Sequence, residues 1–227
     1  IATGHLTTVG ASASESVQSY RSRIIQGNQV AAQGTPDFLA SLLQAIPGVT
    51  PRLVSILQNV FGWEVLCGGG DPYAVAYAIY QATLDLSTST GSAIGARNVS
   101  TSILAGPNSY LLVYVNPPQQ VTTISTIWNT NIPNFTAGAQ INQLGAVAIQ
   151  DYINSIIVGQ PLNLNAMNGA FVAAIASVLP VANLSALASV VEINGSVVSP
   201  EAGTELILGD PESYFYCAVN GATVTQG

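Results

Sequence analysis

Residues 63–76 read WEVLCGGGDPYAVA, and this stretch decides the fold of the first half of the chain. The segment Trp63–Cys67, which is apolar except for Glu64, predicts a short strand, and the three glycines after it predict a tight turn. Asp71 is a typical helix N-cap and Pro72 a typical first helical residue. Because apolar residues then recur at helical spacing as far as Leu86, the stretch predicts a crossover-like unit of strand, turn and helix.

Two further helices and a strand are predicted before this unit. The first helix spans Ser14–Ile25, where apolar residues recur every three or four positions. The second spans Pro36–Ile46, with Thr35 as its N-cap, and ends at Pro47. Apolar residues spaced among polar ones at residues 53–60 predict a strand.

The middle of the chain contains a predicted boundary between two domains. Residues 87–98 are small and polar and predict a loop, and Leu111–Val115 predicts a buried strand. That strand cannot continue through Pro117 and Pro118, which lack the N–H group that a sheet requires. A new strand is predicted over Val121–Trp128, with alternate side chains on opposite faces.

The second half is predicted to contain two helices followed by short antiparallel strands. The first helix is expected to begin at Thr136-Ala137-Gly138 and to end near Ile157, and the second is expected from Asn165 to Leu179. Asn194-Gly195 is a typical hairpin turn between two of the strands. The predicted fold class is therefore α+β, with two small mixed α/β domains in tandem. The domains cover residues 15–118 and 119–227, after an N-terminal arm or strand remnant at residues 1–14.

Charge is scarce in this chain of 227 residues. Only 7% of the residues are charged while 48% are hydrophobic, lysine is absent, and the formal net charge is -7. A protein that binds nucleic acid needs a basic surface to neutralise phosphates, so that class is excluded. The candidate membrane span, residues 166–191, is interrupted by amides and by Pro180, which argues against membrane insertion.

The longest charge-poor segment indicates an assembly surface. Between Asn98 and Val191 the only charged side chain is Asp151, where an average protein carries about one charge every four residues. A neutral surface of this size favours association, so we expect other subunits to cover most of it. Aromatic and large apolar side chains in the second half are the interface candidates: Trp128, Phe135, Tyr152, Ile156, Phe171, Tyr214 and Tyr216.

Several segments resemble the baseplate J-like family, whose members are wedge proteins of contractile phage tails and related injection machines. The similarity extends over nearly the whole chain. It is found in the following segments: Glu15–Arg23 (ESVQSYRSR), Gly34–Leu39 (GTPDFL), Pro47–Val49 (PGV), Cys67–Ala76 (CGGGDPYAVA), Tyr152–Asn154 (YIN) and Val158–Leu162 (VGQPL).

The resemblance implies a structural subunit of a baseplate wedge, which joins neighbouring subunits around the hub and relays the trigger for contraction. Its implied partners are other copies of itself and other wedge, hub and sheath proteins, and its implied location is the virion, after assembly in the host cytoplasm. The family has no active site and binds no cofactor. Because the chain opens on Ile1 and family members usually carry a further upstream domain, we expect it to be the C-terminal part of a longer protein.

Two other classes of function stay open. A secreted or cell-surface adhesion module is favoured if Cys67 and Cys217 form a disulfide, whereas cytoplasmic assembly predicts that both are reduced. A hydrolase is favoured only if two carboxylates such as Asp71 and Asp85 converge in a cleft. The residues themselves predict no catalytic, cofactor or metal site, because His5 is the only histidine and it lies in the predicted arm.

Overall fold

The computed structural model describes residues 34–59, 62–83 and 85–227. These ranges contain four helices: α1 Pro36–Gln44, α2 Pro72–Ala82, α3 Gly138–Ser155 and α4 Leu164–Ile175. They contain the strands β1 Val49–Asn59, β2 Gly62–Gly69, β3 Ser89–Thr90, β4 Asn98–Ala105, β5 Asn108–Val115, β6 Gln119–Thr130, β7 Leu162–Asn163, β8 Leu184–Ile193, β9 Ser196–Val198, β10 Leu206–Ile207, β11 Tyr214–Tyr216 and β12 Ala222–Gln226. The predicted arm at residues 1–14 and the predicted helix at Ser14–Ile25 lie outside the described residues.

The first half is a mixed sheet with α1 and α2 packed against one face. The strand order is β1-β2-β5-β4, and β3 pairs with β2. Since β3 runs parallel to β2 and α2 lies between them in the chain, the predicted crossover of strand, turn and helix is confirmed. The core between helices and sheet includes Leu43, Val65, Cys67, Ile79 and Ile103.

The turn into α2 follows the predicted chemistry, but the helix ends earlier than predicted. The Asp71 carboxylate accepts the backbone N–H of Ala74 at 2.9 Å, as an N-cap does. The helix stops at Ala82 rather than Leu86, because Thr83 is extended. Asp85 then accepts both the backbone N–H and the hydroxyl of Ser87, which stabilises a turn in place of another helical turn.

The second half is a sheet of order β11-β6-β8-β9, with β12 also paired to β6. From Val121 to Trp128 the side chains of β6 alternate strictly between exposed and buried, so the predicted division into two faces is confirmed. The buried face packs on α3 and α4, and its core includes Ile124, Trp128, Ile153, Met167 and Phe171.

Three details of the sequence prediction are wrong in the described structure. The last strands are not all antiparallel, because β11 and β12 both pair with β6 in the parallel sense. The helix predicted to reach Leu179 ends at Ile175. The loop predicted at residues 87–98 contains β3 and a short 3-10 helix at Gly95–Arg97. The direction of β11 and β12 and the presence of β3 depend on pairing with distant strands, which local propensity does not report.

The two halves are joined by apolar and polar contacts. A small buried cluster combines Leu53, Leu66 and Val115 of the first half with Val158 of the second. The α+β fold class is confirmed, since each half has its own mixed sheet and helices. The division into two domains at Pro117-Pro118 stays a prediction.

Candidate assembly surface

Some of the predicted interface residues belong to the core of the second half. Trp128 and Phe171 are fully buried and Ile156 is 8% exposed. The indole N–H of Trp128 donates to the side-chain oxygen of Asn142 at 2.7 Å. These three side chains therefore stabilise the fold, and they offer no surface to a neighbouring subunit in this conformation.

Two more of the predicted interface residues are half-buried against the same core. Phe135 meets the Trp128 ring edge-to-face, with the ring centroids 6.0 Å apart. The Tyr152 hydroxyl donates to the carbonyl oxygen of Asn163 at 3.0 Å and accepts the N–H of the same residue at 3.1 Å. Burial raises the pKa of Tyr152, which keeps this hydroxyl protonated. Both aromatic residues hold α3 in place.

The last two interface candidates lie on β11. Tyr214 faces the first half, where the guanidinium carbon of Arg52 lies 5.1 Å from its ring centroid. Tyr216 is 36% exposed and is paired with Val121 in the ladder between β11 and β6. Of all the predicted interface residues, Tyr216 is the most exposed to solvent.

Tyr216 belongs to a larger surface, which we name the outer face: the side of the β6 sheet opposite α3 and α4. The ladder registers place on it side chains from all five strands of the sheet. They are Val121, Thr123, Ser125 and Ile127 on β6, Ala186, Ala188, Val190 and Glu192 on β8, Val197 on β9, Tyr216 on β11, and Thr223 and Thr225 on β12. Within the described ranges no helix or strand covers them, and all except the half-buried Glu192 are exposed.

The outer face is nearly neutral. Its one charged group is the Glu192 carboxylate, which accepts the Thr123 hydroxyl at 3.2 Å. Its apolar members are well exposed, with Ile127 at 53% and Val197 at 66%. The solvated face of a sheet usually carries polar and charged residues, so this alternation of hydroxyl and aliphatic side chains is unusual.

The charges near the centre of the molecule occupy a second region, which we name the seam: the contact between the two halves. The described ranges contain two basic side chains, Arg52 and Arg97, and both lie there. Arg52 donates to the carbonyl oxygens of Ile156 at 3.3 Å and of Phe215 at 3.1 Å. Its own carbonyl oxygen accepts the N–H of Val158 at 2.9 Å, so β1 is fixed to the second half on both sides.

Arg97 makes the ion pairs of the seam. Its guanidinium donates to the carboxylates of Asp210 and Glu212, the second at 2.8 Å. The hydroxyl of Ser92 also donates to Glu212. Burial acts to raise the pKa of Asp210, but the hydrogen bonds from Arg97 and Ser213 outweigh it and hold that pKa below its usual value.

Glu64 on β2 is the buried carboxyl group of this region. It is 6% exposed, and its Oε1 atom has no hydrogen-bond partner among the described residues. Burial, together with the negative charge of Glu212, raises its pKa, while the charge of Arg97 acts in the opposite direction. The seam therefore contains one carboxyl group, Glu64, whose ionisation is unfavourable and another, Asp210, whose ionisation is stabilised.

The residues considered for other functions have structural roles in the described fold. Cys67 and Cys217 are free and buried, one in the core of each half, as predicted, so the disulfide that would favour an adhesion module is absent. Asp71 and Asp85, the carboxylates of the hydrolase alternative, are a helix cap and a turn residue. Among the described residues no group of three acidic, histidine or cysteine side chains is placed to hold a metal ion. None of the described helices is both long and apolar enough to span a membrane.

Comparison with known proteins adds no further information on the site. No protein-family model and no curated protein matches the chain. The alternation in β6 predicts that Val121, Thr123, Ser125 and Ile127 share one face, but it does not predict which face of the strand is open to solvent. The scarcity of charge predicts an assembly surface, but the interface candidates were the large aromatic and apolar side chains rather than these four residues.

Proposed function

We propose that the protein is a structural subunit of a larger assembly and that it binds a neighbouring subunit through the outer face. One observation carries this proposal. The exposed side chains of five adjacent strands form a nearly neutral surface in which Val, Ile and Ala alternate with Ser and Thr. Charge depletion is the compositional mark of the centre of a protein interface.

The physical basis of binding at this surface is the removal of aliphatic groups from water. Ile127, Val190 and Val197 are each half or more exposed, so covering them is favourable at about 25 cal/mol per Å² of apolar surface. The hydroxyl groups between them exchange hydrogen bonds with water for hydrogen bonds across the interface. Because only Glu192 would have to lose its hydration as a charged group, the desolvation cost is small.

The assembly that fits the sequence is a baseplate wedge of a contractile phage tail or of a related injection machine. The support is the set of segments that resemble the baseplate J-like family, which includes the turn from β2 into α2 and the segment after α3. In this proposal the neighbours are other copies of the chain and wedge, hub and sheath proteins. The free cysteines agree with assembly in the host cytoplasm.

A pair of matched substitutions tests the proposal. Ile127→Glu places a carboxylate at the centre of the outer face, while Val147→Glu places one at an exposed site on α3 of the same half. The chain is co-expressed with the products of its neighbouring genes, and the complexes are weighed by native mass spectrometry. We expect Ile127→Glu to lose the complexes and Val147→Glu to keep them. The proposal is wrong if both variants assemble as the unmodified chain does, and its wedge component is wrong if no tail protein is found in the complexes.

A further inference from the structure

Strand β4 is an open edge of the first sheet. It pairs with β5 without interruption from Asn98 to Ala105, and no described strand pairs with its other side. The sequence of the strand is NVSTSILA, which contains no charged residue and no proline. An edge of this kind presents unpaired backbone N–H and C=O groups to any strand that approaches it.

The tight turn at Gly106-Pro107 determines which backbone groups face outward. Ala105 and Asn108 flank a two-residue turn, so they form a hydrogen-bonded pair and Ala105 points its backbone groups toward β5. At the other end of the hairpin, the N–H of Asn116 donates to the carbonyl oxygen of Arg97 at 2.9 Å, which agrees with the same alternation. The outward residues are therefore Ser100, Ser102 and Leu104, and all three are exposed.

Strand β1 and the β8–β9 side of the second sheet carry features that oppose strand addition, and β4 carries none. Strand β1 contains Pro51 and Arg52 and has an irregular register between Val49 and Val54. The register of β8 is irregular opposite Asn129, and its far end is covered by the three-residue strand β9. Natural proteins use charge, proline, bulges and short length to protect sheet edges from pairing. The complete absence of such protection on β4 indicates that this edge is normally paired.

We infer that the occupant of this edge is β4 of a second copy of the chain, paired antiparallel about a two-fold axis at Ser102. In this register Ser102 faces its own counterpart and Ser100 faces Leu104, so all three outward residues exchange N–H and C=O bonds across the axis. The two sheets become one continuous sheet, and α2 of each copy lies on the same side of it. The contact is isologous, so each β4 edge is used once and assembly at this site stops at two copies.

Charge favours a second copy as the partner. Each chain has a formal net charge of -7, so two copies repel each other wherever their carboxylates meet. The segment from Asn98 to Val115 contains no charged residue, so the hairpin is a place where two copies can meet without that repulsion. A basic partner would find no carboxylate on this strand with which to pair.

Two matched substitutions on the same hairpin test the inference. Ser102→Lys places cations opposite each other across the two-fold axis. Ser109→Lys places one on the neighbouring strand β5, away from the proposed contact, where Ser109 is also exposed. Sedimentation velocity over a concentration series is expected to give a dimer of the 23.3 kDa chain for the unmodified protein and for Ser109→Lys. For Ser102→Lys we expect a dissociation constant raised by about tenfold or more, because like charges directly opposite oppose pairing.

Disulfide crosslinking provides a second test of the dimer, which can be carried out even if the lysine variant does not fold. Ser102→Cys should form a disulfide-linked dimer under mild oxidation, and Ser109→Cys should not; the native Cys67 and Cys217 are buried and free. The inference is overturned if the unmodified chain sediments as a monomer throughout, if Ser109→Lys disrupts the dimer as much as Ser102→Lys does, or if Ser109→Cys crosslinks in preference. Since β4 and the outer face are separate surfaces, a monomer in this experiment leaves the proposed function untouched.

Discussion

The seam and the outer face use charge in opposite ways. In the seam, Arg52 and Arg97 hold the two halves together through bonds to backbone carbonyls and carboxylates. On the outer face, five strands present a single carboxylate, Glu192, among aliphatic and hydroxyl side chains. The difference indicates that the two cations within the described ranges fix the contact between the halves, while the surface proposed for partners is kept neutral. The substitutions below separate these two roles.

The largest effect is expected at Arg97. Arg97→Ala leaves the carboxylates of Asp210 and Glu212 without their cation in a partly buried site, which should cost about 2–3 kcal/mol of unfolding free energy. Urea denaturation measures this loss. Asp151→Asn on the exposed side of α3 is the control, and it should stay within about 0.5 kcal/mol of the unmodified chain. Equal losses in the two variants would mean that the seam has no special role.

Arg52 should contribute less than Arg97, because its partners are neutral. Arg52→Met keeps most of the aliphatic stem but removes the hydrogen bonds to Ile156 and Phe215 and the contact with the Tyr214 ring. We expect a loss of about 1–2 kcal/mol, measured by the same urea titration. A variant as stable as the unmodified chain would show that the apolar cluster around Leu53 and Val158 is sufficient to join the halves.

The pH dependence of the seam should change when Glu64 is replaced. Because the folded-state pKa of Glu64 is raised, its contribution to stability is complete below the unfolded pKa of about 4.3 and is lost as the pH rises through the folded value. Glu64→Gln removes that loss, so the variant should gain stability relative to the unmodified chain as the pH rises above about 4.3. Urea midpoints measured from pH 4 upward test this, and a difference that does not vary with pH contradicts it.

Asp210 should contribute a pH dependence of stability opposite in sign to that of Glu64. The folded-state pKa of Asp210 is lowered, so its contribution is present above the unfolded pKa of about 3.9 and is lost as the pH falls through the folded value. Asp210→Asn should therefore be less stable than the unmodified chain at neutral pH, and the difference should shrink in strong acid. Parallel profiles for the two proteins would exclude this role for Asp210.

The smallest effect on stability is expected on the outer face. Ile127 is 53% exposed, so Ile127→Glu should change the unfolding free energy of the isolated chain by about 0.5 kcal/mol or less. The same substitution is expected to abolish complexes with neighbouring subunits. At this position a large effect on binding should therefore accompany a small effect on the unfolding free energy. A loss of several kcal/mol would mean that the outer face stabilises the fold and would remove the contrast with the seam.

Much of the fold was predictable where local chemistry determines it. Asp71 and Pro72 fixed the start of α2, and the alternation from Val121 to Trp128 fixed the two faces of β6. The direction of the last strands was predicted wrongly, because it depends on pairing with a strand that is distant in sequence. β12 is a strand because β6 lies beside it, and its parallel direction follows from the path of the chain rather than from its composition.

The proposed binding surface was less predictable than the fold. Trp128, Ile156 and Phe171 were chosen because large apolar side chains are common in interfaces, but the same property places them in the core. Leu104 and Ile127 fit the two proposed surfaces, since each is a large apolar side chain that is at least half exposed on a strand. The seam was not predicted, because the pairing of Arg97 with Asp210 and Glu212 joins positions that no local pattern relates.

The parallel pairing of β6 with β12 also has a consequence for the order of folding. β6 opens the second half, yet one of its neighbours is residues 222–226, which follow after two helices and five other strands. Contacts between residues so far apart in sequence close a long loop, and such topologies reach the native state slowly. The antiparallel pairing of β6 with β8 closes a shorter loop and should form first. Until β12 arrives, one edge of the strand that carries the centre of the outer face is unprotected, so the growing or refolding chain passes through a stage at which it is prone to aggregate.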